Sequence, residues 1–122
     1  MSLNYKGQNL FIDNISIKGI ANKNNTPFYV YSYKKIKDNF ETFCNYFKKV
    51  SPLVCFSVKS NSNVSILTEL GKLGSGADVV SEGELLKALK AKINPKKIVF
   101  SGVGKTDSEL RLAIKKRVLL IN

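Results

Sequence analysis

Pro52-Leu53-Val54-Cys55-Phe56-Ser57-Val58 runs directly into Lys59, and Ser60-Asn61-Ser62-Asn63 follows. A run of β-branched and aromatic residues of this length reads as a buried strand, and the Ser/Asn cluster reads as the loop after it. Lys59 therefore stands at the carboxyl end of a strand, where parallel α/β sheets and barrels gather their chemistry. A lysine held there can form a Schiff base with an aldehyde cofactor, because partial burial frees an amine as a nucleophile. The competing reading is a surface lysine at a strand end, one of 18 in the chain.

Outward from this strand, the pattern alternates. Pro27 introduces a short aromatic strand, Phe28-Tyr29-Val30-Tyr31. Ser32 is placed to cap a helix whose stripe is Tyr33, Ile36, Phe40, Phe43, Cys44 and Phe47, read as core. After Lys59, Asn63 caps a helix with Val64, Leu67, Leu70 and Leu73 on one face, and Gly74 ends it. Gly76 to Val80 is the next strand. Ser81 and Glu84 form a capping box ahead of Leu85, Leu86 and Leu89. Asn94-Pro95 breaks the chain before the strand Lys97 to Ser101. Thr106 and Glu109 form a second box, opening a helix with Leu110, Ala113 and Ile114 inward, and Val118 to Ile121 is a last strand. From Leu53 this is βαβαβαβ in units of about 20 residues, which implies parallel strands joined by right-handed helical crossovers.

The remaining features mostly exclude. At 122 residues the chain suits one modest domain, and its 43% hydrophobic content is that of a globular protein. No apolar stretch approaches the roughly 20 residues of a membrane span, and Met1 to Gly7 lacks the apolar core of a signal peptide. A cytoplasmic protein with no membrane partner is expected. The chain has no histidine, so it cannot supply a His-based triad or a His-ligated zinc site, and no metal site is expected. Cys44 and Cys55 fall in apolar patterns and read as buried free thiols. The net charge of +11 comes from 18 lysines and only two arginines, spread in pairs along the chain. Phosphate and base recognition favour arginine, so no nucleic-acid partner is expected. Gly104-Lys105-Thr106 looks like the end of a phosphate-binding P-loop, but Val99 stands where that motif needs its first glycine. A plain turn is the better reading.

Four blocks, in order and in register, resemble one family. Thr26 to Tyr31 resembles its TP-hYVYD opening, and Phe56 to Asn63 its Y-A-V-K-A-N signature. Gly76 to Leu85 resembles its G-x-D-V-x-S-x-G-E-L block, and Ile98 to Lys105 its I-x-F-x-G-x-x-K block. Together they are similar to the amino-terminal part of the diaminopimelate decarboxylases, which belong to the alanine-racemase-like pyridoxal-phosphate group. Ser60 for the usual Ala and Glu82 for the usual Gly are mild departures.

The resemblance implies an α/β fold: a partial (β/α) barrel with parallel strands (residues 26–122). The stretch before it (residues 1–25), with only short apolar pieces at Leu10 to Ile12 and Ile15 to Ile17, reads as a short extended amino-terminal arm or edge strand, with Asn22 to Asn25 as a linker. The resemblance also implies that Lys59 holds pyridoxal 5'-phosphate as a Schiff base and that Asp78 is the acidic residue near it, so that both are catalytic. A turn carboxylate is the rival reading for Asp78; for Ser81 and Glu84, helix capping competes with lining the pocket. The implied reaction is decarboxylation of meso-diaminopimelate to L-lysine, with ornithine and arginine as the alternative substrates of related enzymes. The family's barrel and its carboxy-terminal β-domain extend well beyond these blocks. The expectation is thus an amino-terminal fragment, needing a missing carboxy-terminal portion or homodimer partner and with little activity alone. The alternative is a stand-alone cofactor-binding or interaction module without turnover.

Overall fold

A computed structural model of the chain describes residues 3–122. It consists of two compact units, Met1–Asn39 and Phe40–Asn122.

In the first unit, strands β1 (Leu3–Lys6), β2 (Asn9–Ile12) and β3 (Ile15–Ser16) form an antiparallel sheet in that order. The chain reverses through two-residue turns. Gly7 takes φ +60 in the first; Asp13 and Asn14 take φ 48 and 67 in the second. Positive φ at both central residues is what a type I′ hairpin turn demands, and Asp and Asn tolerate it better than most. The expected extended arm is therefore extended chain folded back on itself twice. Ser16 caps the short helix α1 (Ile17–Ala21), its side chain accepting from the Gly19 N–H. Phe28 to Tyr31, expected as a strand, forms no ladder. It finds no pairing partner among the described residues, and Tyr29 and Tyr31 stack on each other at 6.4 Å instead.

Helix α2 (Tyr33–Tyr46) begins where the Ser32 side chain accepts from the Lys35 N–H at 2.9 Å. Its aromatic stripe departs from expectation: α2 has no buried residue, and Phe43 lies against Phe47, ring centroids 5.0 Å apart.

The second unit holds a parallel sheet of β4 (Cys55–Ser57), β5 (Gly76–Val79), β6 (Ile98–Phe100) and β7 (Leu120–Ile121), in chain order. Between the strands run α3 (Val64–Lys72), α4 (Glu82–Lys90) and α5 (Asp107–Lys116). Each begins at the residue the sequence marks: Asn63, Ser81 and Thr106 all accept a backbone N–H from the first turn. The strands are shorter than their apolar runs because pairing stops where a neighbour ends; β4 meets β5 only from Cys55↔Gly76 to Ser57↔Asp78.

All three helices pack on one face of this sheet. Leu67 from α3, Leu85 and Ala88 from α4 and Ala113 from α5 join Ala77, Val79, Ile98 and Phe100 in one buried core. Ile114, expected inward, is exposed, and so is Leu86. On α4 the i, i+3 pair Leu85 and Ala88 faces the sheet, which turns Leu86 about 100° away.

Candidate functional site

Side chains alternate across a strand, so the in-register sheet sorts them by face. Phe56, Ala77, Val79, Ile98 and Phe100 face the helices. Cys55, Ser57, Asp78, Val99 and Ser101 fall on the other face, with Ser57 directly beside Asp78. This second face carries a polar line across the carboxyl ends of three strands.

Asp78 is its centre. The Ser101 hydroxyl from the end of β6 donates to its Oδ1 at 2.5 Å, and the Ser57 hydroxyl from β4 donates to its Oδ2 at 3.4 Å. The carboxylate is half-buried and has no ion-pair partner among the described residues.

Lys59 lies in a single 3₁₀ turn, Val58–Ser60, that follows β4 and packs beside β5. The local sequence fixes this turn. Val58 is fully buried and anchors it. The Ser60 hydroxyl donates to the Ser57 carbonyl at 2.7 Å, and the Asn61 N–H donates to the Val58 carbonyl at 3.1 Å. Asn61 then accepts from the Asn63 N–H, and Asn63 caps α3. The Lys59 side chain is exposed and makes no hydrogen bond or ion pair among the described residues. Partial burial was expected; β4 is an edge of this sheet, so the chain described here offers the lysine walls on one side only.

Cys55, also on this face, is a free thiol. Burial raises its pKa from the ordinary value and the Asp78 carboxylate adds to that, against a smaller lowering by Lys97. The rivalry over Ser81 and Glu84 resolves toward capping. Ser81 accepts from the Glu84 N–H at 3.3 Å, while Glu84 reaches past Ser81 to accept from the Val80 N–H at 2.9 Å.

Glu109 does more than the sequence showed. One oxygen accepts from the Thr106 N–H, completing the box, and the other accepts from the Glu82 N–H of α4, both at 2.9 Å. The hydrogen bond from the Thr106 backbone and then that from Glu82 hold its carboxyl below the usual range. Lys105, the lysine of the P-loop-like triplet, donates to the carbonyls of Gly102 and Asn122. A separate cleft of about 540 Å³ in the first unit, between Asn4, Asp13, Asn14 and Lys34, includes none of the polar line.

Sequence reading missed Ser57 and Ser101, since serine in a strand carries no pattern of its own. A signal was present for Ser57, which stands where the Y-A-V-K-A-N signature has its first Ala.

Strands added in chain order, with α3, α4 and α5 on one face, are wound as in a (β/α) barrel; a doubly wound sheet would reverse its order and cover both faces. Residues 33–122 match the family described as pyridoxal-dependent decarboxylase, pyridoxal binding domain, and the chain belongs to that family. Over 120 residues (98% of the chain) it is 45% identical to diaminopimelate decarboxylase of Aquifex aeolicus, covering 28% of that protein. Over 97 residues (80% of the chain) it is 53% identical to the Helicobacter pylori J99 enzyme of the same name, covering 24% of it. The crystal structure of diaminopimelate decarboxylase from M. jannaschii in co-complex with L-lysine superposes with a TM-score of 0.94 at 36% identity, covering 99% of this chain and 29% of that one. The chain thus spans about a quarter of the length of these relatives.

Proposed function

We propose that this chain supplies the cofactor-holding lysine and its counter-charge to a decarboxylase that converts meso-diaminopimelate to L-lysine, with Lys59 and Asp78 in those roles. The observation that carries the reading is a pair of unmatched charges. An amine without a partner and a half-buried carboxylate without a cation stand at the carboxyl ends of neighbouring parallel strands. Leaving a carboxylate half-buried and unpaired costs stability, and a protonated nitrogen beside it would offset that cost.

This donor set fits pyridoxal phosphate: the cofactor's aldehyde needs one accessible amine, and the resulting cationic nitrogen needs one nearby anion. When bound, the cofactor supplies an electron sink for the electrons left by departing carbon dioxide. The rest falls to the chain's own residues. Lys59 would hold the cofactor through its amine nitrogen, the aldehyde oxygen leaving as water, and Asp78 would stabilise the positive charge on that nitrogen. When not bonded to the cofactor, the Lys59 amine would hold and move a proton.

Diaminopimelate is favoured over ornithine or arginine by the identity to diaminopimelate decarboxylases, and L-lysine, the product of that reaction, is bound in the M. jannaschii structure. Residues 26–122 are assigned to the first part of the barrel and residues 1–25 to the arm before it. The rest of the site is assigned to further chain or to a second copy. Among the described residues no helix is long and apolar enough to cross a membrane.

The test is borohydride reduction of the purified protein with pyridoxal phosphate, followed by peptide mapping of every modified lysine. Label concentrated on Lys59 is the expected result; label scattered over the 18 lysines would sink the assignment. With the rest of the site supplied, release of carbon dioxide from meso-diaminopimelate, abolished in Lys59→Ala, tests the reaction itself.

A further inference from the structure

We infer that Ser101, assisted by Ser57, is a positioning residue that fixes the Asp78 carboxylate so that its charge is presented to the Lys59 nitrogen. The inference rests on the reading of Asp78 as the counter-charge of that nitrogen and adds to it how the carboxylate is held.

A carboxylate on a strand turns easily, because the terminal torsion of Asp has broad, roughly two-fold wells. Here each oxygen is taken by a hydroxyl from the strand on its own side, Ser101 on Oδ1 and Ser57 on Oδ2. At 2.5 Å the Ser101 contact is in the range of charge-assisted O–H···O⁻ bonds, which are about twice as strong as neutral ones. At 3.4 Å the Ser57 contact is weak, so Ser101 sets the orientation and Ser57 limits the swing.

The choice of hydroxyls matters chemically. A lysine or arginine at either position would orient Asp78 but would also cancel its charge. Serine donates one hydrogen bond without adding a cation, and each carboxylate oxygen retains acceptor capacity for a further donor. The negative charge therefore stays available to a cationic nitrogen. Serine is also short enough to reach from the adjacent strand without covering the carboxylate. Alanine at both positions, as the signature has at 57, would leave the group free to turn toward solvent.

The experiment uses the purified protein loaded with pyridoxal phosphate. It reads the pH at which the visible band of the bound cofactor titrates, which reports the proton on the Lys59 nitrogen and which a purely structural role would not move. Borohydride labelling of Lys59 is followed in parallel as a check on occupancy. Asp78→Asn should move the titration down by about one to three pH units, as loss of a nearby opposite charge does. Ser101→Ala should move it the same way by roughly half a unit, and Ser57→Ala by less. Ser101→Thr, which keeps the hydroxyl, should restore the original value. The Asp78→Asn/Ser101→Ala double variant should move no further than Asp78→Asn alone, because Ser101 acts through Asp78.

A wild-type titration in Ser101→Ala, alongside a shifted one in Asp78→Asn, would overturn the inference and leave the Asp78 assignment standing. No shift in Asp78→Asn, or no label on Lys59 in the unaltered protein, would remove the parent reading and this one with it. If Ser101→Ala does not fold, Ser101→Cys against Ser101→Thr decides the same point: a shift in the first and none in the second is expected, and equal values would overturn it.

Discussion

The two faces of the parallel sheet are made by alternate residues of the same strands, yet they obey different rules. Toward the helices, Ala77, Val79, Ile98 and Phe100 are fully buried and carry no polar side-chain atom. Toward the other side, Ser57, Asp78 and Ser101 share a hydrogen-bonded line that is only half-buried. One face supplies the burial that holds the unit together; the other tolerates an unpaired charge because that burial is already in place. A period of two lets stability and chemistry be set independently within strands of three or four residues.

The largest expected effect lies on the helix face. Phe100 is the largest of the fully buried side chains, and Phe100→Ala should cost about 3–5 kcal/mol, read as a drop in the urea unfolding midpoint. Val99→Ala, one residue along and on the other face, should cost well under half of that. Equal losses would show that the two faces share the burden and would break the contrast.

Gly76 tests the border between the faces. It lies beside Cys55, and an added Cβ would come within 2.2 Å of the Lys97 carbonyl oxygen and 2.7 Å of the Cys55 sulfur. A backbone carbonyl in a paired strand cannot move aside, so Gly76→Ala should destabilise by roughly 1–3 kcal/mol. Adding Cys55→Ala removes only the sulfur contact and should recover a minor part. Full recovery would place the constraint in the side chain rather than the backbone.

A smaller effect concerns pH and belongs to the helix starts. The Glu109 carboxyl is held below its ordinary value of 4.5 by the Thr106 and Glu82 N–H groups. A depressed folded pKa contributes stability that is complete above the unfolded pKa and is lost as pH falls through the folded one. Glu109→Gln should therefore lower stability near neutrality, where the carboxylate's contribution is complete, and flatten the acid side of the profile below about pH 4.5. An unaltered acid limb, followed by circular dichroism, would remove the carboxylate clamp between α4 and α5.

How much of this was legible in the sequence follows from the range of each interaction. Asn63, Ser81 and Thr106 bond to an N–H two or three residues away, and the sequence located all three helix starts. The alternation of strands and helices is equally local. Strand ends were overrun, because whether Leu53 or Val80 pairs depends on a neighbouring strand some twenty residues distant. The first sheet was read as an extended arm or edge strand, although the two residues between Ile12 and Ile15 have the spacing of a tight hairpin. Lys59 and Asp78 were found through block resemblance, whereas Ser101 reaches Asp78 across 23 positions and has no local mark. The bond from Glu109 to the start of α4 was hidden for the same reason.

The smallest expected effect is also the sharpest for the contrast. Asp78→Asn removes the charge that the proposed chemistry requires, yet it should change stability by no more than about 1 kcal/mol. The asparagine carbonyl can still accept from Ser101, and its amide can donate to Ser57, so the polar line stays satisfied. Cys55 provides a local reading of the lost charge. Its pKa is raised from 9.0 first by burial and then by Asp78. A raised folded pKa gives stability that is complete below the unfolded value and is lost as pH rises through the folded one. With Asp78 neutral, part of that shift disappears, so the Cys55 thiol should alkylate more readily at a given alkaline pH. Burial, the larger cause, remains, and so does most of the protection. A large loss of stability in Asp78→Asn would mean that the polar face bears structural load after all, and the division of labour between the two faces would fail there.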